Sequence, residues 1–310
     1  MADERLRYLS SELGLRAVAV VTTESVAEGR RVHQTAPTST AALGRIISGA
    51  ALLGSTLKGQ QTVTLRINGG GPAGTLIGTC NAEGHLRGYI ANPGADLEPT
   101  PGRKLDVAAL VGTDGYLSVS YDLGLKEPYV GTSRLVNGEV ATDLAYYLAT
   151  SEQIGSSVGI GVLVGKNGGV RAAGGFLLQA LPSPDLDPAS ETERERIIDL
   201  MIKRSEGIES VSHHIADGAS SEEFAQTLVG DLPLRFMGRD ALEFRCTCSR
   251  EKAAGILATM KPAELRELFA DSDTAEVTCE FCRQAFTFTR DEIPRLDPGD
   301  ENRRGEEKRR

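Results

Sequence analysis

The chain has 310 residues with 34 Lys and Arg against 43 Asp and Glu, which gives a net charge of −9. This length allows two domains, or one large domain with a smaller appendage. The acidic balance disfavours a general nucleic-acid binder, which needs a basic face. No apolar run is long enough to cross a membrane, and the first residues lack the basic start and apolar core of a secretion signal, so we expect a cytoplasmic protein without a membrane partner.

The first part of the chain, residues 1–181, is rich in glycine and mostly predicts β-strands. Strands are predicted at Leu15–Val21, Thr62–Ile67, Thr75–Cys80, Leu86–Ile90 and Leu117–Tyr121, with a hairpin from Val158–Val164 and Gly174–Leu181. Helices are predicted after Pro37, with Leu43, Ile46, Ile47, Ala50 and Leu53 on one face, and at Glu139–Thr150, with Leu144, Tyr147 and Leu148 inward. The pattern predicts a large α+β domain built on an antiparallel sheet with few helices.

The composition changes in residues 182–235. The run Pro182–Pro188 breaks regular structure, and Ser190 with Glu193 predicts a capping box before an acidic helix. The apolar stripe of this helix is predicted to be Ile197, Ile198, Met201 and Ile202, and a second helix is predicted from Ser220 or Ser221 to Val229. From residue 184 to 235, twelve acidic residues face five basic ones, a balance of −7. Two interpretations stay open: ordinary surface helices packed on the sheet, or a marginal connector that stays folded only while something docks on it.

Four of the five cysteines form two close pairs, Cys246-Thr-Cys248 and, thirty residues later, Cys279-Glu-Phe-Cys282. Two such pairs predict one four-thiolate metal site, with zinc as the metal, assembled from two short loops. Because the sulfurs of C-x-C are one residue apart, a disulfide between them closes a small, strained ring, and strained disulfides are the labile or regulatory ones. The pattern therefore indicates a redox switch between a zinc thiolate and a metal-free disulfide state. The fifth cysteine, Cys80, follows a strand and is expected to be buried.

The zinc module is predicted to span residues 236–292. It contains predicted helices at Arg250–Met260 and from Pro262 to Ala270, and a strand at Phe286–Phe288. A module of about fifty residues is too small for a large core, so the metal is expected to contribute much of its folding energy. The tail, residues 293–310, is charged with few apolar residues and is expected to be disordered.

Other candidate sites are weaker. The run Gly69–Gly74 lacks the Gly-Lys-Ser/Thr end of a phosphate loop and is better explained as a turn. The adjacent His213 and His214 would point apart on a helix, and no cysteine lies near them in sequence. His33 and His85 lie in polar, turn-like contexts from which no Ser/His/Asp arrangement can be assembled. We therefore expect no catalytic residue and no enzyme activity.

Several segments resemble one protein family. The cysteine-containing phrases are Phe244–Ser249 and Val277–Cys282, and the others are Arg66–Pro72, Gly115–Val119, Tyr129–Gly131 and Ser151–Ser157. Together they resemble the bacterial redox-regulated chaperones known as 33 kDa chaperonins, or the heat-shock protein 33 family. The resemblance covers nearly the whole chain apart from the charged tail, and the spacing of the four cysteines is its most specific element.

The resemblance implies a fold and a mechanism. The fold is an N-terminal sheet domain with flanking helices, a metastable helical linker and a zinc domain. In the reduced, inactive state Cys246, Cys248, Cys279 and Cys282 hold one zinc ion per chain. Oxidation then pairs Cys246 with Cys248 and Cys279 with Cys282, expels zinc and unfolds the linker. Homodimers then hold unfolding client proteins without ATP.

Two other classes of function compete with this one. A constitutive zinc-ribbon protein that binds nucleic acid or a protein partner predicts insensitivity to oxidant and a basic face. Near the cysteines, four basic residues are offset by four glutamates: Arg245, Arg250, Lys252 and Lys261 against Glu243, Glu251, Glu264 and Glu267. A thiol–disulfide oxidoreductase predicts turnover with a dithiol reductant. The C-x-C motif, and the position of Cys279–Cys282 at the end of the chain instead of after an early βαβ strand, argue against it.

Overall fold

A computed structural model describes residues 2–99, 104–181, 191–208 and 210–293. The chain divides into two compact units, Met1–Arg245 and Cys246–Arg310. The expected capping box at Ser190 and the expected disorder of the tail beyond Ile293 lie outside the described residues. Within the described part of the chain, no helix combines the length and the apolar character needed to cross a membrane.

The elements of the two units can be given in chain order. The strands of the first unit are β1 (Glu4–Ser10), β2 (Leu15–Val21), β3 (Thr62–Asn68), β4 (Leu76–Asn81), β5 (His85–Ile90), β6 (Tyr116–Asp122), β7 (Tyr129–Arg134), β8 (Ser156–Val164), β9 (Val170–Ala180), β10 (Arg235–Ala241) and β11 (Glu243–Phe244). Its helices are α1 (Thr23–His33), α2 (Pro37–Leu53), α3 (Val107–Val111), α4 (Ala141–Thr150), α5 (Glu191–Glu206), α6 (Val211–Ala216) and α7 (Ser221–Val229). The second unit contains α8 (Arg250–Thr259), α9 (Pro262–Leu268), β12 (Thr274–Thr278) and β13 (Ala285–Thr289).

The strands of the first unit form two sheets, in the orders β10-β1-β2-β9-β8 and β11-β5-β4-β3-β6-β7. Among the described strands of this unit, all pairings are antiparallel except that of β11 with β5. The α+β class and the antiparallel pairing are confirmed, and the strands are divided between two sheets where the sequence suggested one. The stretch after Phe236, expected to open the zinc module, contributes β10 and β11 to these two sheets of the first unit.

Helix α2 forms the centre of the first unit because apolar residues surround it on all sides. It packs against β4 and β5 of one sheet and against β8 and β9 of the other. The five residues predicted to face inward are all buried: Leu43, Ile46, Ile47, Ala50 and Leu53. Glycines in the neighbouring strands allow this close approach, since a Cβ on Gly78 would lie 2.4 Å from the Ile46 carbonyl oxygen and one on Gly88 would lie 2.7 Å from Ile47 Cδ1.

Helices α5, α6 and α7, which we call the connector, cover the other face of the five-stranded sheet. Successive residues of β2 point to opposite faces, so Val18 and Val20 join the core around α2 while Ala17, Ala19 and Val21 join the connector. The buried connector residues are Ile197, Met201, Ile208, Val211, Ile215, Phe224, Ala225, Leu228 and Val229. The helices are thus packed on the sheet, which both interpretations allow.

The predicted apolar stripe of α5 is half wrong. Ile197 and Met201 are 7% and 3% exposed, whereas Ile198 and Ile202 are 36% and 46% exposed. Residues at i and i+4 share a helix face, and only one such row meets the sheet. The predicted second helix is confirmed as α7, which Ser220 caps by accepting a hydrogen bond from the backbone N–H of Glu223.

Asp3 is a buried carboxylate at the start of α1. It is 5% exposed and accepts hydrogen bonds from the backbone N–H groups of Glu24 at 3.0 Å and Ser25 at 2.6 Å. Burial raises its pKa from 3.8 to about 6, although these hydrogen bonds act in the opposite direction. The folded chain therefore binds a proton at Asp3 more tightly than the unfolded chain does, so this residue favours folding most below pH 3.8, and that contribution is lost as pH rises through about 6.

We predict that Asp3→Asn removes one component of the pH dependence of stability. In the wild-type protein, protonation of Asp3 contributes about 2–3 kcal/mol to the free energy of unfolding at low pH, because one pKa unit corresponds to about 1.4 kcal/mol. The variant has no proton to bind there. Urea unfolding of both proteins at several pH values from 4 to 7 measures the difference between their free energies of unfolding. The stability of the wild-type protein relative to the variant should fall as pH rises over this range. A constant difference would contradict the assignment.

Candidate metal centre

The four C-terminal cysteines come together in the second unit. Cys246 and Cys248 lie in the loop that leads to α8, and Cys279 and Cys282 lie between β12 and β13. The four sulfur atoms all lie within 4.8 Å of one another. Two of the distances that join the loops are 3.7 Å between Cys246 Sγ and Cys279 Sγ and 3.3 Å between Cys248 Sγ and Cys282 Sγ. The folded chain thus brings together residues that are more than thirty positions apart in sequence.

A tight turn positions the second pair. Strands β12 and β13 form an antiparallel hairpin that ends with Thr278 opposite Ala285. The loop is closed by hydrogen bonds from Cys279 N–H to the Gln284 carbonyl oxygen at 2.9 Å and from Arg283 N–H to the Cys279 carbonyl oxygen at 2.8 Å. Arg283 has a φ of 59°, the left-handed conformation that reverses the chain. The backbone N–H groups inside the turn therefore point towards the sulfurs.

The start of α8 positions the first pair. Ser249 caps this helix by accepting a hydrogen bond from Lys252 N–H at 3.3 Å. The Lys252 ammonium donates to the carbonyl oxygen of Thr247, the residue between the two cysteines, at 2.6 Å. The cap and this hydrogen bond hold the short Cys246–Cys248 loop against the beginning of the helix.

Arg250 connects the first loop to the β12–β13 hairpin. Its guanidinium donates to the Thr287 carbonyl oxygen and to Glu292 Oε1, each at 2.6 Å, and lies 4.4 Å from the centre of the Phe288 ring. From the sequence alone, Arg250 was considered only as one of the basic residues near the cysteines. Its position as the first residue of α8, directly after the Cys246–Cys248 loop, was the sequence feature from which its contact with the hairpin could have been predicted.

The local environment affects the four thiols differently. Burial raises the pKa of Cys248 and Cys282, and contacts with other thiols raise that of Cys248 further. Burial also acts to raise the pKa of Cys279, but hydrogen bonds from the backbone N–H groups of Cys282 and Phe281 outweigh it, and the pKa is lowered. Of Cys248, Cys279 and Cys282, the thiolate form is therefore easiest to reach at Cys279.

This donor set fits a tetrahedral metal ion with soft ligands. Four sulfurs held about 2.3 Å from one zinc ion lie about 3.8 Å from one another, close to the 3.7 Å between Cys246 Sγ and Cys279 Sγ. The apolar core of the unit is small and consists of Ala253, Leu257, Leu265, Phe269, Ala275, Phe288 and Ile293. The four cysteines could therefore hold a metal ion, and such a small core leaves room for a metal to contribute to its stability.

The histidines considered in the sequence lie elsewhere. His213 and His214 are on α6, and among the described residues only the four cysteines form a group of three or more possible metal ligands. His33 is buried with its Nε2 atom 2.8 Å from the Gly88 carbonyl oxygen. His85 lies between two carboxylates, with Nδ1 3.2 Å from Glu83 and Nε2 3.2 Å from Glu243.

Cys80 is buried in the core around α2, as expected. Its sulfur lies 3.7 Å from Arg5 Nη1, and burial raises the pKa of the thiol although this guanidinium acts against the shift. A protonated thiol without access to solvent is a poor target for oxidants. Nothing in its surroundings connects Cys80 with the four-cysteine cluster.

Comparisons with known proteins agree with this arrangement. The sequence model of the family described as "Hsp33 protein" matches residues 3–289. The chain belongs to the Hsp33 family. It is 41% identical over 294 residues to the 33 kDa chaperonin of Clostridium botulinum (strain Langeland), covering 94% of this chain and 96% of that protein. It is 40% identical over 296 residues to the 33 kDa chaperonin of Geobacillus kaustophilus, covering 96% of this chain and 98% of that protein.

A solved structure supports the same assignment. The crystal structure of the 33 kDa chaperonin (heat shock protein 33 homolog) of Thermotoga maritima superposes with a TM-score of 0.82 at 32% sequence identity, covering 96% of this chain and 98% of that one. Family membership supports a chaperone role for this chain, and the cysteine cluster is compatible with zinc and with redox-active disulfides.

The first prediction for the site is that each of the four cysteines contributes to metal binding. Replacing any one of them by serine should lower zinc affinity by at least about 100-fold, because a neutral hydroxyl is a poor substitute for a thiolate ligand. Metal analysis and competition with a chromophoric chelator measure this in the reduced protein. Full occupancy and affinity in any one variant would remove that residue from the ligand set.

The second prediction is that Cys80→Ala leaves both zinc content and the response to oxidant unchanged. The variant should lose only about 1–2 kcal/mol of unfolding free energy, as is common for a small change in a packed core. Thiol counting after peroxide treatment, compared with the wild-type protein, tests the claim. A large loss of the oxidant response would place Cys80 in the switch.

Proposed function

We propose that this protein is a redox-regulated, ATP-independent holdase that binds unfolding or oxidatively damaged proteins in the cytoplasm and prevents their aggregation. The observation that carries the proposal is the convergence of four thiols on one point in a member of the Hsp33 family. The proposal includes no catalytic residue, nucleic acid or membrane. It includes unfolded client proteins as partners and a homodimer after oxidative activation.

In the reduced state we assign one zinc ion to Cys246, Cys248, Cys279 and Cys282. When bound, zinc holds these sulfurs as thiolates, neutralises part of their charge and links the two loops. The residues around them orient the sulfurs: the turn at Arg283 presents one pair, and the Ser249 cap with Lys252 presents the other. The reduced module is folded in this state, and the chaperone is inactive.

Oxidation converts the thiolates into disulfides. Hydrogen peroxide turns one thiolate into a sulfenic acid and leaves as hydroxide, and a neighbouring thiol then displaces water from the sulfenic acid to form the disulfide. For each disulfide the two sulfurs give up two electrons, which reduce one molecule of peroxide. The proposed pairs are Cys246 with Cys248 and Cys279 with Cys282. The sulfurs of each pair lie within 4.8 Å of each other, and they approach to about 2.05 Å when the disulfide forms. Once both pairs are oxidised, no thiolate is left to hold the metal.

The chain between the cysteines and the connector supports a route for coupling. The segment directly before Cys246 is β10–β11, and Arg239 of β10 forms an ion pair with Glu222 of α7 and another, at 3.5 Å, with Glu4 of β1. Strand β11 has only two residues and pairs with β5. Loss of order after Arg245 would loosen this short strand first, and then the strand that fastens α7.

Loosening the connector would uncover an apolar surface suited to unfolding clients. The sheet residues beneath it include Ala17, Ala19, Val21, Phe176 and Leu178. The acidic side chains of the connector repel one another, so the order of its helices depends on their apolar contact with the sheet. An exposed patch of this kind binds unfolded chains by burying their apolar side chains.

The third prediction tests whether order in the connector controls activity. Phe224 of α7 is fully buried, and Phe224→Ala should destabilise the packing of the connector by about 3–5 kcal/mol. The reduced, zinc-bound variant should therefore suppress aggregation of an unfolding client without oxidant. Thr227→Ala, on the exposed face of the same helix, is the matched control and should stay inactive until it is oxidised.

Hydrogen exchange measures the order of the connector, and an aggregation assay measures chaperone activity, each with and without peroxide. On oxidation of the wild-type protein, exchange across α5–α7 should accelerate strongly while β3 and β8 stay protected. Chaperone activity should rise as that protection is lost. If the connector remains protected in the active, oxidised protein, unfolding of the connector is not part of the mechanism, and only the proposed zinc site stands. Activity that ignores peroxide would favour the constitutive zinc-ribbon class, and catalytic turnover with a dithiol would favour an oxidoreductase.

A further inference from the structure

A cleft of about 510 Å³ opens at the edge where the two sheets of the first unit meet. Five aliphatic side chains form most of its apolar wall: Leu53, Leu123, Leu148, Ile154 and Leu181. Tyr121 and Tyr129 add two aromatic rings whose centres are 6.4 Å apart. The volume lies in the range of small-molecule sites, which are mostly apolar with a few polar groups that fix orientation.

Arg16 places a positive charge in this cleft without a direct ion pair among the described residues. Its Nε atom donates to Gln179 Oε1 at 3.0 Å, and Nη2 donates to the same oxygen. Within the described part of the chain, Nη1 has no hydrogen-bond partner and the guanidinium has no ion-pair partner. Burial lowers the pKa of Arg16, so the charge is held at a cost that a neutral amide offsets only in part. A ligand carboxylate would supply the missing charge.

Glu152 places the opposite charge on the same cleft. Its Oε1 atom is buried and has no hydrogen-bond partner among the described residues. Burial, followed by the charge of Glu152, raises the pKa of Tyr121 and of Tyr147. Arg16 and Glu152 attract each other, yet Arg16 directs its hydrogen bonds to Gln179. Two opposite charges that share an open cleft without direct pairing leave space for a molecule that carries both.

We propose that this cleft binds a zwitterionic ligand with apolar side chains and the size of a dipeptide. Its carboxylate contacts Arg16, its ammonium group contacts Glu152, and its side chains fill the space between the leucines and tyrosines. A cleft of about 510 Å³ is larger than a single amino acid fills, which favours a dipeptide. All residues that line the cleft belong to the first unit, and none of them is a cysteine.

Calorimetric titration of the reduced, zinc-bound protein with Leu-Leu tests the site. We expect saturable binding of one peptide per chain. Leu-Leu amide, which lacks the carboxylate, N-acetyl-Leu-Leu, which lacks the ammonium group, and free leucine should each bind at least roughly tenfold more weakly, a loss of about 1.4 kcal/mol. Equal binding of all four compounds, or no binding of Leu-Leu, overturns the proposal, and leucine binding as tightly as Leu-Leu overturns the dipeptide size.

Two variants assign the two charges. Arg16→Gln should abolish the preference for Leu-Leu over its amide while the preference over the acetylated peptide remains, and Glu152→Gln should do the reverse. Thr56→Phe, a change at an exposed position on the rim, should block binding while both charges stay in place. Arg66→Gln removes an exposed arginine outside the cleft and should bind like the wild type. Unchanged preferences in both charge variants contradict the assignment.

Discussion

Four sulfur atoms within 4.8 Å of one another are the constraint on which the second unit depends. If all four were thiolates without a cation, they would repel one another strongly at such distances, and the small core of the unit could not offset that repulsion. Only a bound cation, protonation or bond formation between the sulfurs removes the conflict. The cluster is therefore suited to a small number of distinct chemical states, which is the property that a switch requires.

The first unit meets a different requirement, since its five-stranded sheet is apolar on both faces. One face packs against α2, which cannot leave without disrupting both sheets. The other face is covered by α5, α6 and α7, which contain seven acidic and four basic residues, a net charge of −3. Gly161 of β8 shows how closely this cover fits, because a Cβ there would lie 2.8 Å from the backbone nitrogen of Ser212 on α6. The cover is well packed and also carries a net negative charge, so apolar contact and charge repulsion oppose each other within it.

The sequence predicted those elements whose own residues reveal their burial. Strand β3 alternates between buried and less buried positions, α2 repeats large apolar residues on one face, and the cysteine spacing identifies the two loops that meet. The elements that were missed depend on tertiary contacts. Strand β1 places Arg5 in the interior, where Asp240 of β10 pairs with it at 2.9 Å, so its pattern of charges does not indicate burial.

Two other features were beyond the reach of a periodicity argument. Helix α1 buries Ser25, Gly29 and His33 with a single large aliphatic residue, Val26, so it has no apolar stripe. Strand β10 is an edge strand with mostly exposed residues, and its pairing with β1 is what brings residues after 235 into the first unit. The pairing of two strands that are more than two hundred residues apart is set by the folded chain, and the residues of either strand alone do not predict it.

Coupling between the cysteines and the connector is limited by free energy. A metal ion can shift the equilibrium of the connector only by the difference between its affinities for the two arrangements. Structural zinc contributes on the order of 10 kcal/mol to folding of a small module, whereas a domain is stable by roughly 5–15 kcal/mol in total. In the proposed mechanism, only part of the zinc contribution has to act through β11 and β10 to exceed the stability of helices as short as α6 and α7. The ion pair of Arg239 with Glu222 joins the strand before the cysteines to α7, the helix that this mechanism releases.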